Sequence, residues 1–171
     1  MPQWAPGFSL VDVSEHLEDP SAMVWVDLCG PDVADLQLVA DELGLHTLAV
    51  EDATSGRQRP KFTRYAGHDF LAAYAVRLDD KTGELITGEI AAFITARALV
   101  TVRKDDEFPI EGLLEMWDDH IELTMYGVGS LVHGLLDYLV GGHFDAVQSL
   151  DDQIEDLEDL LFDKSPHGRD V

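Results

Sequence analysis

Two acids stand side by side at Glu51 and Asp52, in the stretch LHTLAVEDATSGRQRPKF that runs from residue 45 to 62. Neighbouring carboxylates offer oxygen ligands and negative charge, the chemistry that holds hard divalent cations. The loop just after them is opposite in character: Arg57, Arg59, Lys61 and Arg64 are four of the chain's 11 bases. Such a loop suits a phosphate or an answering acidic surface, and the acid surplus favours the second. His133 and Asp137 lie four residues apart, so a helix would set both on one face, where they make two of the ligands a transition metal needs. The glycines of YGVGSLVHG read as a helix cap or tight turn, since no lysine follows at phosphate-loop spacing. No nucleophile elbow and no paired-histidine zinc motif is present in the sequence.

These residues sit in a very acidic chain, with 34 acids against 11 bases and a formal net charge of −23 over 171 residues. Binding to DNA, RNA or an anionic membrane surface relies on Lys and Arg displacing cations from phosphates, so those partners are excluded. Cations are the natural partners of such a surface, although a halophilic or solubility-adapted exterior explains the same surplus. Adjacent acids recur along the chain, and by themselves Glu51 and Asp52 read as a solvated face. Cys29 is the sole cysteine, which rules out an intramolecular disulfide or thiolate cluster and fits a reducing compartment. The N-terminus, MPQWAPGFSL, lacks the basic and apolar regions of a signal peptide. The longest apolar stretch, IAAFITARALVTV, is broken by Arg97 and is too short to span a bilayer.

The elements that must position these groups follow from periodicity. MVWVDL is a short apolar run bounded by Gly30-Pro31 and predicts a buried strand. Leu36, Val39, Ala40 and Leu43 recur at helical spacing, with Pro31 suited to the first turn and Gly44 closing the helix. HTLAVEDA predicts a short second helix, and Pro60 turns the chain toward extended structure. KFTRYAGHDFLAAYAVRL and GELITGEIAAFITAR predict two extended runs about the turn DDKTG, with ALVTVR as a third. PIEGLLEMWDDHIEL predicts a helix, and a longer helical segment runs from about Ser130 to Lys164, with Gly141-Gly142 as a kink or weak point. In its second half Val147, Leu150, Ile154, Leu157 and Leu161 form a two-heptad apolar seam. Asp151, Asp152, Glu155, Asp156, Glu158 and Asp159 fill the other faces, and acids at this spacing repel one another.

In their order, these pieces resemble the cytoplasmic N-terminal domain of the CorA family of magnesium and cobalt channels. The residues that carry the likeness are WVDL, LGLHTLAVED, RQRPKF, RYAGHDF, FITARALVTVR and LLDYLVGGHFDAVQSLDDQIEDLEDLLF, from about Met23 to Phe162. The resemblance implies an α/β/α sandwich with a mixed parallel and antiparallel sheet, followed by long acidic C-terminal helices. It implies one domain over residues 1–171: a lead-in over 1–22, a sheet part over 23–127, a helical hairpin or kinked helix over 128–164, and a truncated tail over 165–171. In the family a stalk helix and two transmembrane helices follow, so the membrane enters only through a part this sequence lacks. The implied location is the cytoplasmic side of a cell membrane.

The resemblance also assigns Glu51 and Asp52 to divalent-ion sites between neighbouring subunits of a pentamer, with Asp137 as a further acid on the helix before the acidic pair. The principal partner of Asp52 lies on the missing stalk. The implied ion is Mg2+, with Co2+ or another divalent cation as the alternative, and the implied role is ion sensing and gating without catalysis. Three other readings compete. A zinc-transporting relative would use His133, His143 and the other histidines. A soluble metal-dependent hydrolase would use Glu51, Asp52 and Asp137. An acidic interaction module would use the heptad helix alone.

Overall fold

The computed structural model describes residues 9–56, 59–79 and 81–163. One sheet holds five strands, β1 (Val24–Cys29), β2 (Lys61–Arg64), β3 (Asp69–Leu78), β4 (Leu85–Ile94) and β5 (Ala98–Arg103), in the spatial order β1-β5-β4-β3-β2. β1 runs parallel to β5, and the other neighbouring pairs are antiparallel. Alternation along the strands separates two cores. Val24, Val26, Leu28, Phe70, Phe93, Val100 and Val102 face α1 (Val13–His16), α2 (Val33–Leu43) and α3 (Thr47–Thr54). Trp25, Ile90, Ala92 and Leu99 face α4 (Glu111–Asp119) and α5 (Val128–Asp163). The result is the expected α/β/α sandwich around a mixed sheet.

Local chemistry sets the element ends. Asp32 caps α2 by accepting the Asp35 backbone N–H at 2.8 Å, and Gly44 closes it in the left-handed conformation, at φ +63°. Pro31 therefore lies just ahead of the helix instead of in its first turn. The run KFTRYAGHDFLAAYAVRL is two strands and not one: Tyr65–His68 turn the chain, Gly67 takes φ +97°, and the Tyr65 N–H donates to the His68 carbonyl at 2.9 Å. The helix expected over PIEGLLEMWDDHIEL stops at Asp119, and a 3₁₀ stretch, Ile121–Tyr126, carries the chain to α5.

The largest departure concerns the C-terminal helices. Of the helical hairpin or kinked helix expected over 128–164, the hairpin is not found: α5 is one helix of 36 residues that passes through Gly141-Gly142 without interruption. At 1.5 Å per residue it is about 54 Å long. Asp137 and the acidic seam accordingly share one helix. Gly142 is explained by packing: a Cβ there would lie 2.7 Å from the Val76 carbonyl oxygen of β3. The missing side chain lets α5 approach the sheet, and helical hydrogen bonding continues across both glycines. Val128, Leu131, Leu135, Leu139 and Ala146 are buried, whereas Val147, Leu150, Ile154, Leu157 and Leu161 are all exposed. The second half of α5 thus projects from the domain with its seam uncovered by the described residues.

A polar network crosses the β1–β5 pair. Arg103 donates to Asp27 from Nε at 3.1 and 3.2 Å and from Nη2 at 2.6 Å, and from Nη1 to the Phe108 carbonyl at 2.8 Å. Thr101 donates to Asp27 at 2.7 Å and accepts from Trp25 Nε1 at 3.0 Å. These bonds satisfy the charged groups in a largely buried setting, as low-dielectric burial demands.

Candidate functional site

The acid pair rides on α3. Ala49, Val50 and Ala53 bury the inner face of this helix, which turns Glu51 outward to solvent and leaves Asp52 partly covered. Both ends of α3 are tied down. His46 Nδ1 accepts the Leu48 N–H at 3.2 Å at the start. At the end the Glu51 carbonyl accepts from Ser55 N at 2.9 Å and Ser55 Oγ at 2.7 Å. Lys104 then donates to the Ser55 carbonyl at 2.8 Å and to Glu89 at 2.7 Å, anchoring this end to the sheet. A helix held at both ends presents its carboxylates in fixed positions.

Asp52 already has a counter-ion. Lys61 of β2 reaches it at 2.6 Å, with its ammonium 5.8 Å from the centre of the Phe70 ring. Arg64 pairs more loosely with Asp69 at 3.9 Å. Two of the four bases, Lys61 and Arg64, therefore meet the chain's own acids, while Arg57 lies outside the described residues. A cation arriving at Asp52 competes with Lys61 or shares the carboxylate with it.

Asp137 lies elsewhere. It is exposed on α5, across the sheet from α3, and it borders two cavities of about 600 and 230 Å³. His133, one turn earlier, and His120 line the smaller cavity with it. His143 donates from Nδ1 to the Leu139 carbonyl of its own helix at 2.8 Å. Among the described residues no group of three or more His, Cys, Asp or Glu is placed to hold a metal ion. Glu51 and Asp52 are neighbours on α3 that point in different directions, Glu51 to solvent and Asp52 to Lys61, and Asp137 is not brought to either. The available donors are carboxylate oxygens, which fit a hydrated Mg2+ that takes few direct protein ligands.

Sequence reasoning singled out neither Asp27, Arg103 nor His68. The signal for the first two was a charge inside an apolar strand, in MVWVDL and in ALVTVR, which demands a partner of opposite sign. For His68 there was none beyond its place in an aromatic strand start.

A family profile described as "CorA-like Mg2+ transporter protein" matches residues 20–169. The putative metal ion transporter YfjQ of Bacillus subtilis (strain 168) is 28% identical over 146 residues, covering 85% of this chain and 44% of that protein. The cobalt/magnesium transport protein CorA of Thermotoga maritima is 24% identical over 168 residues, covering 92% of this chain and 46% of that protein. The chain thus spans less than half the length of these relatives. The solved soluble domain of CorA from Methanocaldococcus jannaschii shares the fold with TM-score 0.64 at 16% identity, over 82% of this chain and 56% of that one. Among the described residues no helix is long and apolar enough to cross a membrane.

Proposed function

This chain belongs to the family of CorA-like Mg2+ transporters, and on that premise we propose that it is the cytoplasmic domain by which such a transporter senses divalent cations and gates. The observation that carries the reading is positional. Glu51 points outward and Asp52 lies partly covered beside Lys61 on a helix clamped at both ends, and Asp137 is exposed on the opposite side of the sheet. One copy cannot bring these acids to one ion, whereas neighbouring copies in a ring can. The ring is a pentamer in this reading.

The mechanism is electrostatic. Carboxylates of two subunits about 4 Å apart repel by roughly 4 kcal/mol at an effective dielectric near 20. A Mg2+ between them replaces repulsion with attraction, so the bridged, closed arrangement is favoured while the ion is present. When cytoplasmic Mg2+ falls, the repulsion returns and the ring relaxes toward conduction. The ion acts only through its preference for one state, as linkage requires. Lys61 makes the isolated subunit tolerate Asp52 without a cation, and the acids of the outer half of α5 concentrate cations nearby.

The test is a thermal melt and a sedimentation run across Mg2+ concentration at high fixed salt, on the natural chain and on Glu51→Ala/Asp52→Ala. High salt screens the diffuse field of the −23 charge. A specifically bound ion still stabilises by mass action, by about 1.4 kcal/mol at tenfold its dissociation constant. Stabilisation or assembly in the natural chain alone supports the site. An equal response in both assigns the pair to ordinary surface acid.

A further inference from the structure

Two residues of the sequence blocks that carry the family likeness, His46 and Tyr65, lie outside the acid pair and meet each other in the structure. His46 stacks on Tyr65 with ring centroids 4.7 Å apart, and Tyr65 stacks on His68 at 5.1 Å and an interplanar angle of 12°. His68 then meets Phe93 of the sheet at 6.1 Å. The column joins the start of α3 to the turn between β2 and β3. His68 is only 5% exposed, and neither ring nitrogen has a hydrogen-bond partner among the described residues.

An imidazole in such a place is held neutral, because a charged ring would need solvation or acceptors that the site does not offer. Burial first, and His46 second, push the pKa of His68 below its ordinary 6.5, while Asp69 pulls it back. His46 ties the column to α3 in a different way. Its Nδ1 accepts the Leu48 N–H that caps α3. The charged and titratable groups around the column are Asp69 on β3, Tyr65 in the turn and the two histidines. Arg64 is engaged by Asp69, and Lys61 by Asp52.

We propose that the His46–Tyr65–His68 stack is a proton-sensitive clasp on α3, closed while the buried His68 ring is neutral and released by acidification. The sign is set by where protons bind. Below its ordinary value of 6.5 the unfolded His68 takes up a proton that the folded ring resists. The stabilisation is complete above that pH and is lost as pH falls toward the folded value. Each proton taken up on opening raises the opening constant by about tenfold per pH unit. The clasp rests on the ring stack, the burial of His68 and its two unpartnered ring nitrogens. Its consequence, that acid as well as cation loss frees the helix bearing Glu51 and Asp52, rests on the function proposed above.

Amide hydrogen exchange tests it, on the 171-residue chain in chelator, at pH near 7.5 and near 5.5, corrected for intrinsic rates. The expected result is a drop in protection of up to about tenfold across residues 46–55, with the amides of β4 and β5 little changed. His68→Phe combined with His46→Asn, which keeps a capping acceptor, is expected to abolish that drop. An equal drop in the variant overturns the proposal. A ring titration of the natural chain by NMR needs no variant: a folded His68 that titrates at its ordinary value also overturns it. Because divalent cations are absent, this outcome is independent of the Mg2+ experiment, and either reading can fail while the other stands.

Discussion

Adjacent glycines in α5 give the sharpest test of the packing argument, because the same substitution is expected to act with opposite sign at each. A Cβ at Gly141 meets nothing within 4 Å. Gly141→Ala should therefore stabilise by up to about 1 kcal/mol, the difference in helix propensity between the two residues. A Cβ at Gly142 lies 2.7 Å from the Val76 carbonyl oxygen, whereas carbon–oxygen contacts settle at about 3.3 Å or more. The helix must retreat from β3 by about 0.6 Å, loosening Leu139 and Ala146, which are buried on either side of the contact. Overpacking of this kind costs about 1–3 kcal/mol and outweighs the propensity gain. Urea denaturation of both variants should separate the neighbouring sites by roughly 2 kcal/mol. A Gly142→Ala variant as stable as Gly141→Ala would refute the close approach and restore the view of the pair as a flexible joint.

Two further outcomes rest on the charges. Arg103→Leu strands the Asp27 carboxylate, whose side chain is 14% exposed. It should cost about 3 kcal/mol in urea unfolding, with part recovered by adding Asp27→Asn, since an unpaired buried charge is worse than none. No recovery would mean that packing, and not charge, dominates there. In the outer half of α5, Asp151/Glu155, Asp152/Asp156 and Glu155/Asp159 face one another one turn apart, each repelling by a few tenths of a kcal/mol. Raising NaCl to about 1 M, where screening acts within about 3 Å, should increase amide protection over residues 150–162 severalfold. Unchanged protection would show that the seam, and not the charge, limits this helix.

Much of the fold was legible locally. WVDL between glycine-proline punctuation, the Asp32 to Gly44 frame around an amphipathic helix, and the runs about DDKTG each state their conformation within ten residues or so. That is the range over which capping and periodicity act. The β2–β3 turn was missed because AGH lies inside an otherwise strand-like run, and only Gly67 with positive φ separates the two strands. Gly141-Gly142 was misread because glycine signals both a weak helix and a close approach, and the sequence does not say which atom is approaching.

The amino-acid order alone determined the acidic character, the strands and short helices, and the block LHTLAVED with its following Arg-Pro-Lys that carries the family likeness. The tertiary structure alone decided the pairings. Asp27 meets Arg103, and Asp52 meets Lys61. His68 comes to lie beneath Tyr65 and His46, and Asp137 falls across the sheet from Glu51. Local propensity acts over a helical turn, whereas these contacts depend on strand order and on which face each helix covers. Those are set by burying two apolar faces at once, a property of the whole chain.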